Sequence, residues 1–295
     1  MAERRSSPTP ALAPPTPRRA VVAVAIGLVI GLAVVAWAAA ADRRDPLADD
    51  AFVIWAVLAV SLTVAAGVVF TIGLRAYAVT TEWLQVPVRT VWRQTMATVG
   101  VVGLALLAYL LRDVGDSSVR GVILCLTAAA GGAPVARTLF AVRSAVPARQ
   151  SQGSLGDQVA DYLNMRRLTA GLLPPLGSLV ALATLALSAA TTMADRASAD
   201  GARADVVLVF GALATVAVAV PFNVARQPLR RWGEALVEAL APIEAGDPDV
   251  VIGQVERRTK VVAGMGTSQS LATEVQAGLW IAGPLLAGIA ARYLG

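Results

Sequence analysis

The chain contains no histidine. That removes histidine general bases, Ser–His–Asp triads and nearly every zinc-hydrolase ligand set. Cysteine is almost as scarce: Cys125 stands alone inside an apolar run, so an intrachain disulfide is excluded and the redox compartment stays open. Charge is the third shortage, with only 15% of the 295 residues charged, where a soluble domain carries about a quarter. The 20 acidic residues all fall in loops, tails or the ends of apolar runs. Proton- and ion-coupled transport relies on intramembrane carboxylates or histidines that take up and release the coupled charge, so that mechanism is disfavoured. The last apolar run also lacks lysine, which excludes a retinal Schiff base.

What the chain has in abundance is apolar length. It is 56% hydrophobic with a mean hydropathy of +0.65, and the apolar residues gather in long uncharged runs. A run of about 20 residues is what a ~30 Å hydrocarbon core requires. Seven segments qualify: Ala20–Ala40, Phe52–Leu74, Thr95–Leu111, Gly121–Ala136, Leu168–Met193, Val206–Pro221 and Leu271–Leu294. The expected fold class is therefore all-α, a polytopic bundle of seven transmembrane helices with short cytosolic amphipathic helices. Ala39-Ala40-Ala41-Asp42 resembles a signal-peptidase site, but the apolar stretch is longer than a signal h-region of ~7–15 residues, which favours a retained anchor.

The domain reading follows. Residues 1–19 form a disordered Pro/Arg-rich cytosolic tail, with five prolines and four arginines and too little apolar surface to fold. Residues 20–222 form a six-span bundle, 223–274 a cytosolic amphipathic segment, and 275–295 the final span. Three hairpins of similar spacing suggest an internal repeat, without matching residue strings.

Orientation comes from arginine. With the N-terminus in the cytosol, the alternate segments on that side carry 18 of the 25 Arg and Lys residues and the opposite side carries 7. Each inside segment exceeds its outside neighbours, as the positive-inside rule expects. The expected location is a cell (inner) membrane, multi-pass, with the C-terminus outside. The net charge of +5 follows this sidedness, so nucleic acid is not an expected partner. Arginine outnumbers lysine 24 to 1 among abundant Ala, Val and Gly, the composition of a high-GC bacterial genome.

Few motifs suggest chemistry. Gly153-x3-Asp157-x3-Asp161 resembles the second half of the metal-binding motif of CDP-alcohol phosphotransferases. The other aspartates should lie just upstream, where the chain reads Ala136-Arg137-Thr138. Metal-assisted phosphoryl chemistry needs several converging carboxylates, so two aspartates four apart read as a solvated helix face. Ser154 with Asp157 three residues later reads as a capping box, and Leu155, Val159 and Leu163 continue it as a stripe. Lys260 before Gly264-x-Gly266 lacks the Walker spacing and reads as a hinge. Pro174-Pro175, Pro221 and Pro284 are expected to break or kink their helices.

Helix packing is the best-supported role for any named residue. Ala23, Gly27 and Gly31 lie on one face of the first span, and Gly283, Ala287 and Ala291 on one face of the last. Lipid gives no hydrophobic push between helices, so small residues that let backbones touch supply the contact. In the cytosolic segment, Leu229, Trp232, Leu236 and Leu240 recur at helical steps beside Arg230 and Arg231. This helix is the expected contact for a protein partner, a second copy or anionic lipid headgroups. A second helix is expected from Pro248 to about Val262. The functional expectation is a non-enzymatic scaffold or accessory subunit without a catalytic, metal or cofactor site. A permease or exporter of an uncharged or hydrophobic molecule is the alternative, and a membrane enzyme the third. A polar cavity lined by Ser178, Thr184, Ser188 and Thr215 would favour transport.

Overall fold

The computed structural model describes residues 17–42, 49–84, 91–93, 95–96, 100, 103, 116–195, 204–245, 248–266, 282–283 and 286. All regular structure among the described residues is α-helical. Six helices can be followed from end to end: α1 (Pro17–Asp42), α2 (Asp50–Leu84), α3 (Asp116–Gln150), α4 (Leu155–Asp195), α5 (Ala204–Leu240) and α6 (Pro248–Met265). The first five are long and apolar enough to cross a membrane, which fits a membrane-embedded protein. The expected spans Thr95–Leu111 and Leu271–Leu294 fall almost wholly outside the described residues, as does the tail before Pro17.

Helix length sets the architecture. α2 and α3 have 35 residues each, α4 has 41 and α5 has 37. At 1.5 Å per residue these rods run about 50–60 Å, well beyond a ~30 Å hydrocarbon core. The surplus gathers at one end, because the end of α2, the end of α3, the start of α4 and the end of α5 pack together there. This is the end that holds Arg137, Arg149, Arg166, Arg230 and Arg231.

Two cores result. The larger runs through the apolar segments and is built of Ala, Val and Leu with a few aromatics, among them Trp55, Leu62, Ala66, Leu139, Leu176, Phe210 and Val218. α2 is its central rod, packed on α1, α3 and α4, while α5 packs on α3 and α4. Outside this core the surface is itself apolar, with Val21, Ile26, Val29, Leu32, Ile54, Val57, Phe70 and Val216 all exposed. A water-facing surface would not expose so many large apolar side chains together. The second core lies in the arginine-rich extensions and is described below.

Close backbone approach joins the helices of the first core. A β-carbon on Gly27 would collide with the Thr63 carbonyl, and one on Gly67 with the Ala23 carbonyl. One on Gly73 would stand 2.6 Å from the Val135 nitrogen. Buried threonines do not cross-link the helices so much as satisfy themselves. Thr63, Thr80, Thr169 and Thr184 donate to carbonyls three or four residues back, and only Thr138 also reaches a neighbour, the Gly73 carbonyl at 3.3 Å. Back-bonding of this kind hides a hydroxyl from lipid at little structural cost.

The prolines do not break their helices. Pro134 and Pro147 lie inside α3, Pro174 and Pro175 inside α4, and Pro221 and Pro228 inside α5, without ending any of them. Pro221 therefore does not close a span ahead of a separate helix; Val206–Pro221 and Leu229–Leu240 are one rod. Packing on both sides of each proline holds the helix where the missing N–H alone would loosen it. Pro284 lies outside the described residues.

Candidate interaction layer at the arginine-rich end

The second core is made of larger side chains than the first: Phe140, Val142, Val146, Tyr162, Met165, Leu229, Trp232, Leu236, Val237 and Met265. Trp232 is its centre, 1% exposed, with the Tyr162 ring edge-on at 5.9 Å between centroids. The indole nitrogen of Trp232 has no hydrogen-bond partner, which costs about 1–3 kcal/mol and is offset by burial of the ring.

Charged side chains tie the layer together from outside. Arg149 donates to the Trp83 carbonyl and to Asp161 at 3.3 Å, joining α2, α3 and α4. Asp161 lies on the charged start of α4, ahead of its apolar stretch. Burial pushes its carboxyl above the usual aspartate range, and the neighbouring Arg149 offsets this only in part. The bridge fixes geometry more than it adds stability. Arg166 donates to the Met265 carbonyl at 2.7 Å, pinning the end of α6 to α4. Arg258 reaches Glu238 at 2.7 Å, and the Glu244 N–H donates to Gln254 at 3.0 Å, so α6 folds back along α5.

The turn between α3 and α4 is short, Ser151–Ser154, and Gly153 takes φ +84 within it. Ser154 then caps α4: its N–H and hydroxyl both donate to Asp157, at 3.1 and 2.8 Å, while the Asp157 N–H donates back at 3.3 Å. Those two bonds hold the Asp157 carboxyl below its usual value. Asp157 and Asp161 are thus engaged in a cap and a bridge, not turned toward one another around a metal site. Of the stripe that follows, Val159 and Leu163 pack on the second core while Leu155 is exposed. α6 closes as the sequence suggests, with Gly266 at φ +60.

The expected contact residues separate into two sets. Leu229, Trp232 and Leu236 are buried in the layer and Leu240 is half-buried against it. Arg230 and Arg231 are exposed, with Arg230 paired only to Glu234 one turn on at 2.9 Å. The apolar face is therefore used up inside the protein, and the basic face is what remains outside. Among the small residues, Gly27 and Gly31 are buried on α2 and Ala23 meets Gly67. A β-carbon on Gly283 would meet nothing within 4 Å, and Ala287 and Ala291 lie outside the described residues.

No family model matches the chain, and neither a curated protein nor a solved structure does.

Sequence reasoning missed two features. The first is a cleft of about 120 Å³ among α3, α4 and α5 with Gly103 beside them, lined by Cys125, Ala129, Ala133, Leu176, Phe210, Pro221 and neighbours. Among the described residues its lining carries no hydroxyl. Ser178, Thr184 and Thr215 are absent from it and donate to carbonyls of their own helices. The second is a stack: the Arg137 guanidinium lies 4.0 Å from the Tyr77 ring centroid and 5.2 Å from that of Trp92. Each such contact contributes roughly 0.5–2 kcal/mol. Among the described residues Arg137 makes no ion pair, and its Nε and the Tyr77 hydroxyl are buried without hydrogen-bond partners. The only signal in the sequence was an arginine directly after an apolar run.

Proposed function

We propose that this chain is a non-enzymatic integral membrane scaffold whose arginine-rich layer lies in the cytosol and holds an acidic surface of a partner protein. The observation that carries this reading is the division within one helix, with Leu229, Trp232 and Leu236 buried and Arg230 and Arg231 exposed on the surface. Depth favours a protein over the leaflet. Arg230 follows the end of the apolar stretch at Pro221 by about 14 Å of helix rise, whereas the headgroup zone is only about 5–8 Å thick on each side. A basic pair at that distance along the helix supports a protein contact over a headgroup contact. A permease or exporter of an uncharged or hydrophobic molecule would draw on the apolar cleft and would leave the exposed basic pair without a role.

Purification in mild detergent followed by mass spectrometry should recover a stoichiometric acidic partner. The R230E/R231E protein should lose it while keeping its thermal stability. Recovery of the same partner with the reversed charges, or of none with the native chain, overturns the reading. Sidedness is tested separately in a C125A background. Cysteines at Ser154 and Ala245 should resist a membrane-impermeant thiol reagent in intact cells, and one at Ser117 should react.

A further inference from the structure

Three elements leave the apolar zone at one level. Tyr77 follows the run that ends at Leu74, Arg137 follows directly on Ala136, and Trp92 precedes the run that begins at Thr95. The structure brings these three side chains together, with the guanidinium held over both rings. Tyrosine, tryptophan and arginine are the residues that suit headgroup depth, each with an apolar body and a polar end. Within this group two donors are unspent among the described residues: Arg137 has no carboxylate there, and its Nε and the Tyr77 hydroxyl have no acceptor. The ion pairs among the described residues engage Arg149, Arg230 and Arg258, and Arg137 is instead held by two rings. A guanidinium held flat, with an O–H donor beside it, matches the oxygens of a phosphate.

The cleft supplies the other half. Ala129, Ala133 and Arg137 follow at four-residue steps and so share a face of α3. The first two line the apolar cleft and the third carries the charge. We propose that Arg137, Tyr77 and the α3–α4–α5 cleft form a binding site for one anionic phospholipid. The phosphate accepts hydrogen bonds from Arg137 and Tyr77, Trp92 covers the guanidinium, and an acyl chain lies along Ala133 and Ala129. The proposal is independent of the partner surface, because neither Arg230 nor Arg231 takes part.

The test is native mass spectrometry of the full chain from mild detergent, titrated with phosphatidylglycerol, phosphatidylethanolamine or inorganic phosphate. The native protein should retain one phosphatidylglycerol with at least tenfold preference over phosphatidylethanolamine. Arg137→Gln should abolish the preference, and Arg137→Lys, which keeps charge and fold but not the flat donor pair, should weaken it severalfold. Ala133→Leu should lower retention of both lipids by narrowing the cleft, while R230E/R231E should leave it unchanged. Should Arg137→Gln fail to fold, the lysine and leucine variants still decide. Equal retention of the two lipids, phosphatidylglycerol bound equally by all variants, or saturation by inorganic phosphate without competition from lipid overturns the proposal.

Discussion

The two cores share α2 to α5 and obey different rules. In the apolar zone, α1, α2 and α3 meet through Gly27, Gly67 and Gly73, with neighbours at backbone distance and hydroxyls folded onto their own helices. In the arginine-rich extension α3, α4 and α5 pack around Trp232, Tyr162, Phe140 and Met165, and their outer faces carry charge. The solvent explains the difference. Lipid tails are as apolar as leucine, so a large side chain gains nothing by leaving them and close backbone packing is what remains. Water rewards burial at roughly 25 cal/mol per Å², so large aromatics are worth gathering where the helices emerge.

The sharpest way to break this contrast is Trp232→Ala. Emptying the centre of the second core should cost about 3–5 kcal/mol, read as lower thermal stability in detergent and as new protease sites confined to α5 beyond Pro221 and to α6. Cleavage in the α1–α2 contact as well would mean that the two cores are one cooperative unit. Next in size is Gly27→Leu, where added bulk against the Thr63 carbonyl should cost about 1–3 kcal/mol. Its effect should fall on α1 and leave Trp232 fluorescence unshifted; an unchanged melting temperature would show that α1 does not need this contact.

Ser154→Ala removes the α4 cap and should cost about 1 kcal/mol. The pH dependence has a definite sign. The Asp157 carboxyl is held below its unfolded value, so its contribution is present above about pH 4 and disappears as pH falls through the folded value. The alanine variant should lose that acid-dependent part of the melting curve, and an unaltered acid limb would contradict the cap's role. The smallest effect belongs to Arg149 and Asp161. A double-mutant cycle between Arg149→Met and Asp161→Asn should give a coupling below about 1 kcal/mol, since burial already raises the Asp161 carboxyl despite the arginine. A coupling of several kcal/mol would make the layer electrostatically rather than apolarly held.

Local signals in the sequence were read well where neighbours in the chain are also neighbours in space. The apolar runs that became α1 to α5, the Ser154–Asp157 cap and the Pro248 helix start all depend on residues within a turn or two. Continuity through Pro221 was not legible, because a lost backbone hydrogen bond is a local cost, whereas the packing on both sides of it is tertiary. The fate of Trp232 was half legible: its stripe marked a face that must be covered, but Tyr162 and Phe140 lie some 70 to 90 positions earlier (about 70 and about 90 by residue number). The Arg137 stack was illegible for the same reason, since its partners Tyr77 and Trp92 come from other elements.

The uninterrupted passage of α2 to α5 from one zone into the other has a mechanical consequence. A helix of 37 residues such as α5 is a stiff lever with prolines at 221 and 228, and the turn at Pro221 is a weak point, because it leaves the Ala217 carbonyl without its usual N–H. A force applied at Arg230 therefore turns into torque at that turn, and displacement of the far arm depends on how firmly α3 and α4 grip it. Spin labels at Ala212 and Ala235 would read the bend directly. A distance that stays fixed whether or not Pro221 is replaced by Ala would describe a rigid rod, and one that lengthens and narrows in the variant would describe a hinge.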